Sequence, residues 1–314
     1  MSVFKTGRLD RSVVLHFMGD PGFANFTRIL GWLAGGLNAR SGPHSQVAIW
    51  TGWGFLDNIV AVGRGRVDVA IATPASFIPM AMKGQGPFRD EPFPHLRALA
   101  TISQYDRLVL MVTEESGVRS LDDLRHKRLR IATAPNDGVN FIGMAADRIL
   151  EMAGANVEVI RSPWYRGCID LVRQGEADGL FQEAIMNQTF QDLCRDRKMH
   201  CIALEPAILD ELERELSWQR ASVPAGYFPQ QAEGFETLSF ADFLVFCRED
   251  LSEDVAYVLA RTMTEDRPGL ERHYRHIPPE RSGVTYPLEP RNMGQTTIPL
   301  HPGAARWYDS LPQE

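Results

Sequence analysis

No stretch of this sequence approaches the roughly 18 consecutive apolar residues of a membrane-spanning helix. The opening residues, Met1 to Asp10, lack the apolar core of a signal peptide. As written, the chain is expected to be soluble and cytoplasmic, or periplasmic if a leader has been removed. Cysteine is scarce: Cys168, Cys194, Cys201 and Cys247 show neither CxxC spacing nor a neighbouring zinc-type His pattern. Each is expected to be a small core hydrophobe, and a Cys194–Cys201 bridge would require an oxidising compartment. Basic residues do not predominate. Lys and Arg number 33 against 40 Asp and Glu, a net charge of -7, which argues against nucleic acid as a partner. There is no GxGxxG, so a nucleotide is not implied. No cofactor or metal is expected.

What is present is apolar material in short runs: 44% of the 314 residues, ample for a core. Val13–Phe17, Gln46–Trp50 and Val67–Ala72 read as strands, each followed by a turn of small or polar residues and a helical pattern such as Phe26, Ile29, Leu30, Leu33, Leu37. Leu96–Ile102 and Leu108–Val112 read as two more strands. From Ser120, an N-cap with Asp123 three residues on, the plan repeats: strand Leu129–Ala132, turn Thr133–Gly138, helix Phe141–Met152, strand Val157–Ile160, loop Arg161–Arg166, helix, strand Gly179–Gln182. Near-continuous apolar strands alternating with helices point to mostly parallel sheets covered on both faces. The expectation is an α/β chain of two similar lobes. Lobe 1 comprises residues 1–113 and 247–314, and lobe 2 residues 114–246. Val223–Tyr227 is expected as a strand, Phe243–Cys247 as a strand beside Leu108–Val112, and the tail from Pro278 as a surface segment.

Ligands of open α/β sheets collect at the carboxyl ends of the strands, which nominates the turns. Gly19 and Asp20 with Phe23 follow the first strand. Thr51 and Gly52 would offer free N–H groups at a helix start beside Trp53, and Thr73 ends the third strand. In the second half the corresponding positions are Asn136, Asp137, Trp164, Arg166 and Gln182, with Tyr105 and Arg107 between the halves. Thr51, Thr73 and Asn136 are short donors suited to a carboxylate, for which capping is the plain alternative. Arg107 and Arg166 can bind a carboxylate in bidentate fashion, where surface ion pairing is the plain alternative. Trp50, Trp53, Trp164 and Tyr165 can cover a ligand or pack the interior. Asp20, Tyr105, Asp137, Gln182 and Glu183 can read hydroxyl or amine groups. His301 and His16 read as structural.

Several strings taken together resemble the TAXI family, solute receptors of tripartite ATP-independent periplasmic (TRAP) transporters. They are Asn58 with Val60-Ala61-Val62-Gly63 leading to Asp68-Val69-Ala70-Ile71; Leu96-Arg97-Ala98-Leu99-Ala100; and Ser120-Leu121-Asp122-Asp123-Leu124 with Lys127-Arg128. Further on come Gly175-Glu176-Ala177-Asp178 and Pro299-Leu300-His301-Pro302-Gly303-Ala304-Ala305-Arg306-Trp307-Tyr308. The resemblance implies a type II periplasmic-binding-protein fold with two lobes, two hinge crossings and a small molecule held in the cleft, captured by hinge closure. It also implies TRAP membrane subunits as partners. The chain departs from the family at Gly19-Asp20-Pro21-Gly22-Phe23 and at Pro135-Asn136-Asp137-Gly138, where a Gly-Gly-Thr-Gly-Gly-like and a Ser-Gly-Thr-like turn are usual. The reading is a solute-binding protein for a small, polar, carboxylate-bearing ligand, an organic acid. The alternative is a cytosolic enzyme on the same fold, a decarboxylase of an aromatic or other small carboxylic acid, for which Asp20 with His16 or His44 is the available acid/base grouping.

Overall fold

The computed structural model describes residues 3–22, 25–52, 55–138 and 140–312. In chain order the elements are α1 (Val3–Thr6), β1 (Val14–Gly19), α2 (Phe26–Ala39), β2 (Gln46–Thr51), α3 (Phe55–Gly63), β3 (Val69–Ala72), α4 (Pro79–Lys83) and β4 (Leu96–Ile102). There follow β5 (Arg107–Thr113), α5 (Leu121–His126), β6 (Leu129–Thr133), α6 (Phe141–Met152), β7 (Val157–Arg161), α7 (Tyr165–Gln174) and β8 (Gly179–Gln182). Next are α8 (Gln188–Arg197), β9 (Met199–Ile202), α9 (Pro206–Leu216), β10 (Arg220–Val223), β11 (Phe235–Ser239) and β12 (Phe243–Arg248). The chain closes with α10 (Glu253–Glu265), α11 (Arg267–Glu271), α12 (Pro290–Met293) and α13 (Pro302–Asp309).

The chain divides into two compact units. Unit 1 comprises Met1–Tyr105 and Ala241–Glu314, and unit 2 Asp106–Phe240. Unit 1 carries a sheet of order β2-β1-β3-β12-β4. Its first three strands run parallel, and β12 is antiparallel to both β3 and β4. In unit 2 the order is β10-β11-β5-β8-β6-β7. Here β7, β6 and β8 are parallel and β5 is antiparallel to β8. The opposite edge of β5 is shared by β11, which pairs at Arg107 and Leu108, and β9, which pairs from Leu110 to Thr113. Three parallel strands joined through helices and closed by one antiparallel strand is thus the plan of each unit.

The crossings differ from the expected ones at Thr113 and Cys247. All of β5 belongs to unit 2 and all of β12 to unit 1, because each pairs only with strands of its own unit. The expected pairing of Leu108–Val112 with Phe243–Cys247 does not occur. Both are fully apolar runs, and nothing in such a run names its neighbour.

Burial explains the composition of the central strands. All of β3 and all of β8 are buried, as is β12 up to Cys247. Strands covered on both faces take continuous apolar sequence rather than alternation. The start of α5 is where sequence predicts it. Ser120 Oγ accepts from Asp123 N while the Asp123 carboxylate accepts from Ser120 N, a capping box that starts α5. Asn140 accepts from Ile142 N to start α6. The strand expected over Val223–Tyr227 lies earlier, as β10, because Pro224 has no N–H for a ladder and Gly226 turns the chain at φ +73°. The tail packs against unit 1 as expected, tied down at His301. Leu300 bridges Ala98, His301 N donates to Ala98 O at 2.8 Å, and the buried His301 ring caps α13 by accepting from Gly303 N. All four cysteines are free.

Candidate functional site

In unit 1 the carboxyl ends of β1, β2 and β3 bring Gly19, Asp20, Thr51 and Thr73 to one edge of the sheet, with Gly19 and Thr51 paired across the ladder. Their hydrogen bonds are largely internal. Asp20, 5% exposed, accepts from Thr27 N at 3.2 Å and Gly22 N at 3.1 Å, while Thr27 Oγ1 donates to the Asp20 carbonyl. The carboxylate therefore caps the first turn of α2 and fills with the protein's own charge the place an anion would take. Gly52 N, expected to be free, donates to Gly19 O at 3.1 Å. Thr73 Oγ1 accepts from Gln104 Nε2 at 2.9 Å, and Gln104 N donates to Asp242. Phe23 and Trp53 lie outside the described residues. Asn58 was not nominated as a contact, yet it is fully buried and its amide donates to Ile71 O at 2.7 Å, tying α3 to β3. An asparagine among the apolar residues of α3 was the available signal.

Unit 2 differs. At the end of β6, Thr133 is fully buried, and its Oγ1 has no hydrogen-bond partner among the described residues. Beyond it, Asn136 does not start the helix. Its amide donates to the Asp147 carboxylate at 2.9 Å, a group that Arg161 also grips through two bonds of 2.7 Å, and the helix cap is Asn140. Asn136 is thus a surface tie of the β6–α6 loop, and the exposed Asp137 lies beside it.

At the end of β7 the chain turns through Ser162 and Pro163 into α7, whose N-cap is the half-buried Trp164. Among the described residues no side chain caps this helix, so its first amides lie at the positive end of the helix dipole without a side-chain acceptor. Around that turn stand four groups. Tyr165 stacks on Phe190 and its hydroxyl accepts from Asn187 Nδ2 at 3.0 Å and from Arg166 Nε at 3.2 Å. The exposed Arg166 guanidinium is held close to the turn by that bond. Cys168, buried in the first turn, has its thiol pushed up to about 11 by burial and stays neutral. Gln182, 0% exposed at the end of β8, donates from Nε2 to Cys168 Sγ at 3.1 Å and leaves Oε1 without a partner among the described residues. A buried polar atom with no partner carries a penalty of about 1–3 kcal/mol unless something supplies the bond.

Tyr105 and Arg107 flank Asp106 where the chain enters unit 2. Arg107 does not project simply as a cation: its Nη1 donates to Asp106 O at 2.7 Å. Asp106 was missed by sequence reasoning, which saw a polar residue between strands. It is buried and accepts from the backbone N–H of Arg107, Ala184 and Ile185. Burial outweighs those bonds and raises its carboxyl to about 7. Glu183 is also held well above the carboxylate range, first by burial and then by the charge of Asp106.

A cavity of about 510 Å³ lies elsewhere in unit 1, lined by Gly63, Arg64, Gly65, His95, Arg248, Glu249 and Asp250. Its guanidinium groups are already matched, Arg64 by Glu91 and Arg248 by Asp250. The end of β7, β8 and α7 therefore holds the stronger claim. Among the described residues no cluster of His, Cys, Asp and Glu is suited to a metal, and no helix is long and apolar enough to cross a membrane.

Comparison with solved structures places the fold. A TctC solute-binding protein from Polaromonas is 13% identical with a TM-score of 0.51, over 88% of this chain and 91% of that one. A periplasmic transporter structure is 11% identical with a TM-score of 0.51, over 94% of each chain. A Xanthomonas citri protein bound to chloride ion is 13% identical with a TM-score of 0.50, over 95% of this chain and 99% of that one. The fold is that of the type II periplasmic binding proteins. No curated protein matches the sequence. The model of the NMT1-like family matches residues 41–310, most of the length, and the chain belongs to the NMT1-like family.

Proposed function

We propose that this chain is a solute-binding protein that captures a small polar solute bearing a carboxylate, and that the carboxylate docks on the first turn of α7. The observation that carries the reading is a helix start that no side chain among the described residues caps, with the exposed Arg166 guanidinium held beside it through the Tyr165 hydroxyl. Backbone N–H groups, the helix dipole and the Arg166 guanidinium all favour an anion there. The solute-binding fold of the Polaromonas protein supports the reading. Delivery to TRAP membrane subunits in the periplasm, as the TAXI resemblance implies, is the transport role that goes with it.

The test is native mass spectrometry of freshly isolated protein followed by calorimetric titration with small organic acids. A co-purifying acid is expected, and Arg166→Ala should weaken it by about tenfold, the loss of one charge-assisted pair. Affinity for every acid unchanged in Arg166→Ala would remove the α7 turn from the binding site.

A further inference from the structure

The sheet of unit 1 ends at β2, and that edge is open. Among the described residues β2 pairs with β1 alone. Gln46 N donates to Val13 O at 2.9 Å and Gly52 N to Gly19 O at 3.1 Å, so along this parallel ladder the even-numbered residues turn their backbone groups toward β1. The N–H and C=O of Val47, Ile49 and Thr51 therefore face the free edge. Natural edge strands are ordinarily blunted by charge, proline or a bulge. β2 reads Gln46-Val47-Ala48-Ile49-Trp50-Thr51 in unbroken register with β1 and has none of the three, in a chain of which 23% is charged. One face of the same corner is uncovered as well, although parallel strands are usually covered on both. Leu15 and Phe17 on one side of β1 are buried, whereas Val14 is 65% and Trp50 55% exposed, the two large hydrophobic residues that stand exposed among the described residues. Beside them Ala48 is exposed and His16 half-buried, with His16 Nδ1 accepting from Trp50 Nε1 at 3.0 Å. Val14, His16, Ala48 and Trp50 share that face, because side chains alternate along a strand and neighbours in register point alike.

We propose that β2 pairs with β2 of a second copy of this chain, antiparallel about a twofold axis at Ile49, so that one sheet runs through two subunits. About that axis Ile49 meets the partner's Ile49 and Val47 meets the partner's Thr51, and every outward N–H and C=O of these three residues finds its counterpart. The uncovered faces then join on one side of the sheet. Trp50 lies opposite the partner's Ala48, a large ring beside a small side chain, and the exposed apolar corners of the two copies become continuous. Charge selects a second copy over a foreign strand. A twofold axis sets each group near its own duplicate, so a charged residue on β2 would face its like, and a strand that pairs with itself has to be uncharged. A strand that received a foreign partner could carry charge, matched by the opposite sign. The arginines of the segments leading into β1 and β2 are matched within the chain, Arg11 by Asp254 and Arg40 by Asp266, and so add no bare charge to that approach.

The experiment measures the mass of the whole chain by sedimentation velocity from low to high micromolar concentration. A dimer that dissociates on dilution is expected. Ala48 is exposed, so a long side chain there is compatible with the folded chain, and the two copies of this position lie diagonally across the axis, about 7–8 Å apart and within reach of long side chains. Ala48→Lys and Ala48→Glu should each raise the dimer dissociation constant at least about tenfold, with the far-UV circular dichroism of the parent. An equimolar mixture of the two variants should dimerise again, because opposite charges then meet across the axis. Loss of folding could not give that rescue. A parent that is monomeric throughout, a dimer that persists unchanged in both variants, a mixture that stays monomeric, or open-ended growth in place of a dimer would each overturn the inference. A parent isolated with a different protein on this edge, and freed of it by Ala48→Lys, would overturn it too and give β2 to a foreign strand. None of these outcomes bears on the α7 turn.

Discussion

Asp178 clasps Arg130 through backbone and side chain at once. Asp178 N donates to Arg130 O at 2.8 Å, and the Asp178 carboxylate accepts from Arg130 N at 2.8 Å and from Arg130 Nη2 at 2.7 Å. In unit 1 Asp68 repeats the arrangement with His16: Asp68 N donates to His16 O at 2.8 Å, and the Asp68 carboxylate accepts from His16 N at 2.7 Å. Each aspartate stands immediately before the third parallel strand of its unit and fixes its register against the first. A one-residue slip there would exchange the two covered faces of β3 or β8 and mismatch both packed layers, so the clasp protects the register on which the strand-end residues depend.

Loss of this clasp is predicted to lower stability in a pH-dependent way. Side-chain bonding to Arg130 holds the Asp178 carboxyl below its ordinary range. A group with a depressed folded-state pKa stabilises the fold above its unfolded value and loses that contribution as pH falls through the folded one. Asp178→Ala should therefore cost about 1 kcal/mol at pH 7, chiefly through the Arg130 amide left without its acceptor. Urea unfolding at pH 7 and near pH 3 checks this. The gap between parent and variant should narrow at the acid end, and an equal gap at both would show that the carboxylate charge is not involved.

Gly143 should resist substitution more than Gly138 does. A Cβ at Gly143 would lie 2.1 Å from the Pro135 carbonyl oxygen, because the β6–α6 loop crosses directly over the first turn of α6. Backbone cannot yield as a flexible side chain can, so Gly143→Ala is expected to cost about 1–3 kcal/mol or more. At Gly138 nothing among the described residues lies within 4 Å and the obstacle is φ +76°, so Gly138→Ala should cost about 1 kcal/mol. Denaturant midpoints that reverse this order would mean that the loop lifts off α6 at little cost.

The plan of the fold was legible because it is written in local patterns. The continuous apolar run Val69–Ala72, the helical spacing of Phe26 to Leu37 and the Ser120–Asp123 cap each declare an element within a few residues. Pairing between distant strands was not. β5 and β12 read alike, and only their partners in space assign them to different units. The strand-end turns were correctly located as turns, but the fate of each polar group depends on residues far along the chain. Thr73 meets Gln104, Asn136 meets Asp147, and the Gly52 amide meets Gly19. Thr133 and Asp106 escaped notice for the same reason: a threonine ending a strand and an aspartate between strands look like capping residues until their burial is known.

Asp106 makes the sharpest prediction about pH. Its three amide donors, Arg107 N, Ala184 N and Ile185 N, all reach the same carboxylate oxygen, at 2.8, 2.8 and 3.2 Å, while the second oxygen has only a longer contact of 3.1 Å to Ala184 N. Asparagine retains one such oxygen, so Asp106→Asn should keep the turn and remove the titration. The carboxyl is raised from 3.8 to about 7 in the folded chain, mainly by burial. Between those values the folded state holds a proton that the unfolded state has released, so stability must fall as pH rises through that window, by at most about 1.4 kcal/mol per pH unit. Glu183, raised for the same cause, adds a slope of the same sign. Denaturant unfolding of the parent between pH 5 and 7.5 should show declining stability, and Asp106→Asn should flatten much of that decline while matching or exceeding the parent at pH 7.5. An Asp106→Asn variant with the parent's full slope would show that the ionisation of this buried carboxyl is not what the fold opposes, and would move the source of the pH dependence to Glu183.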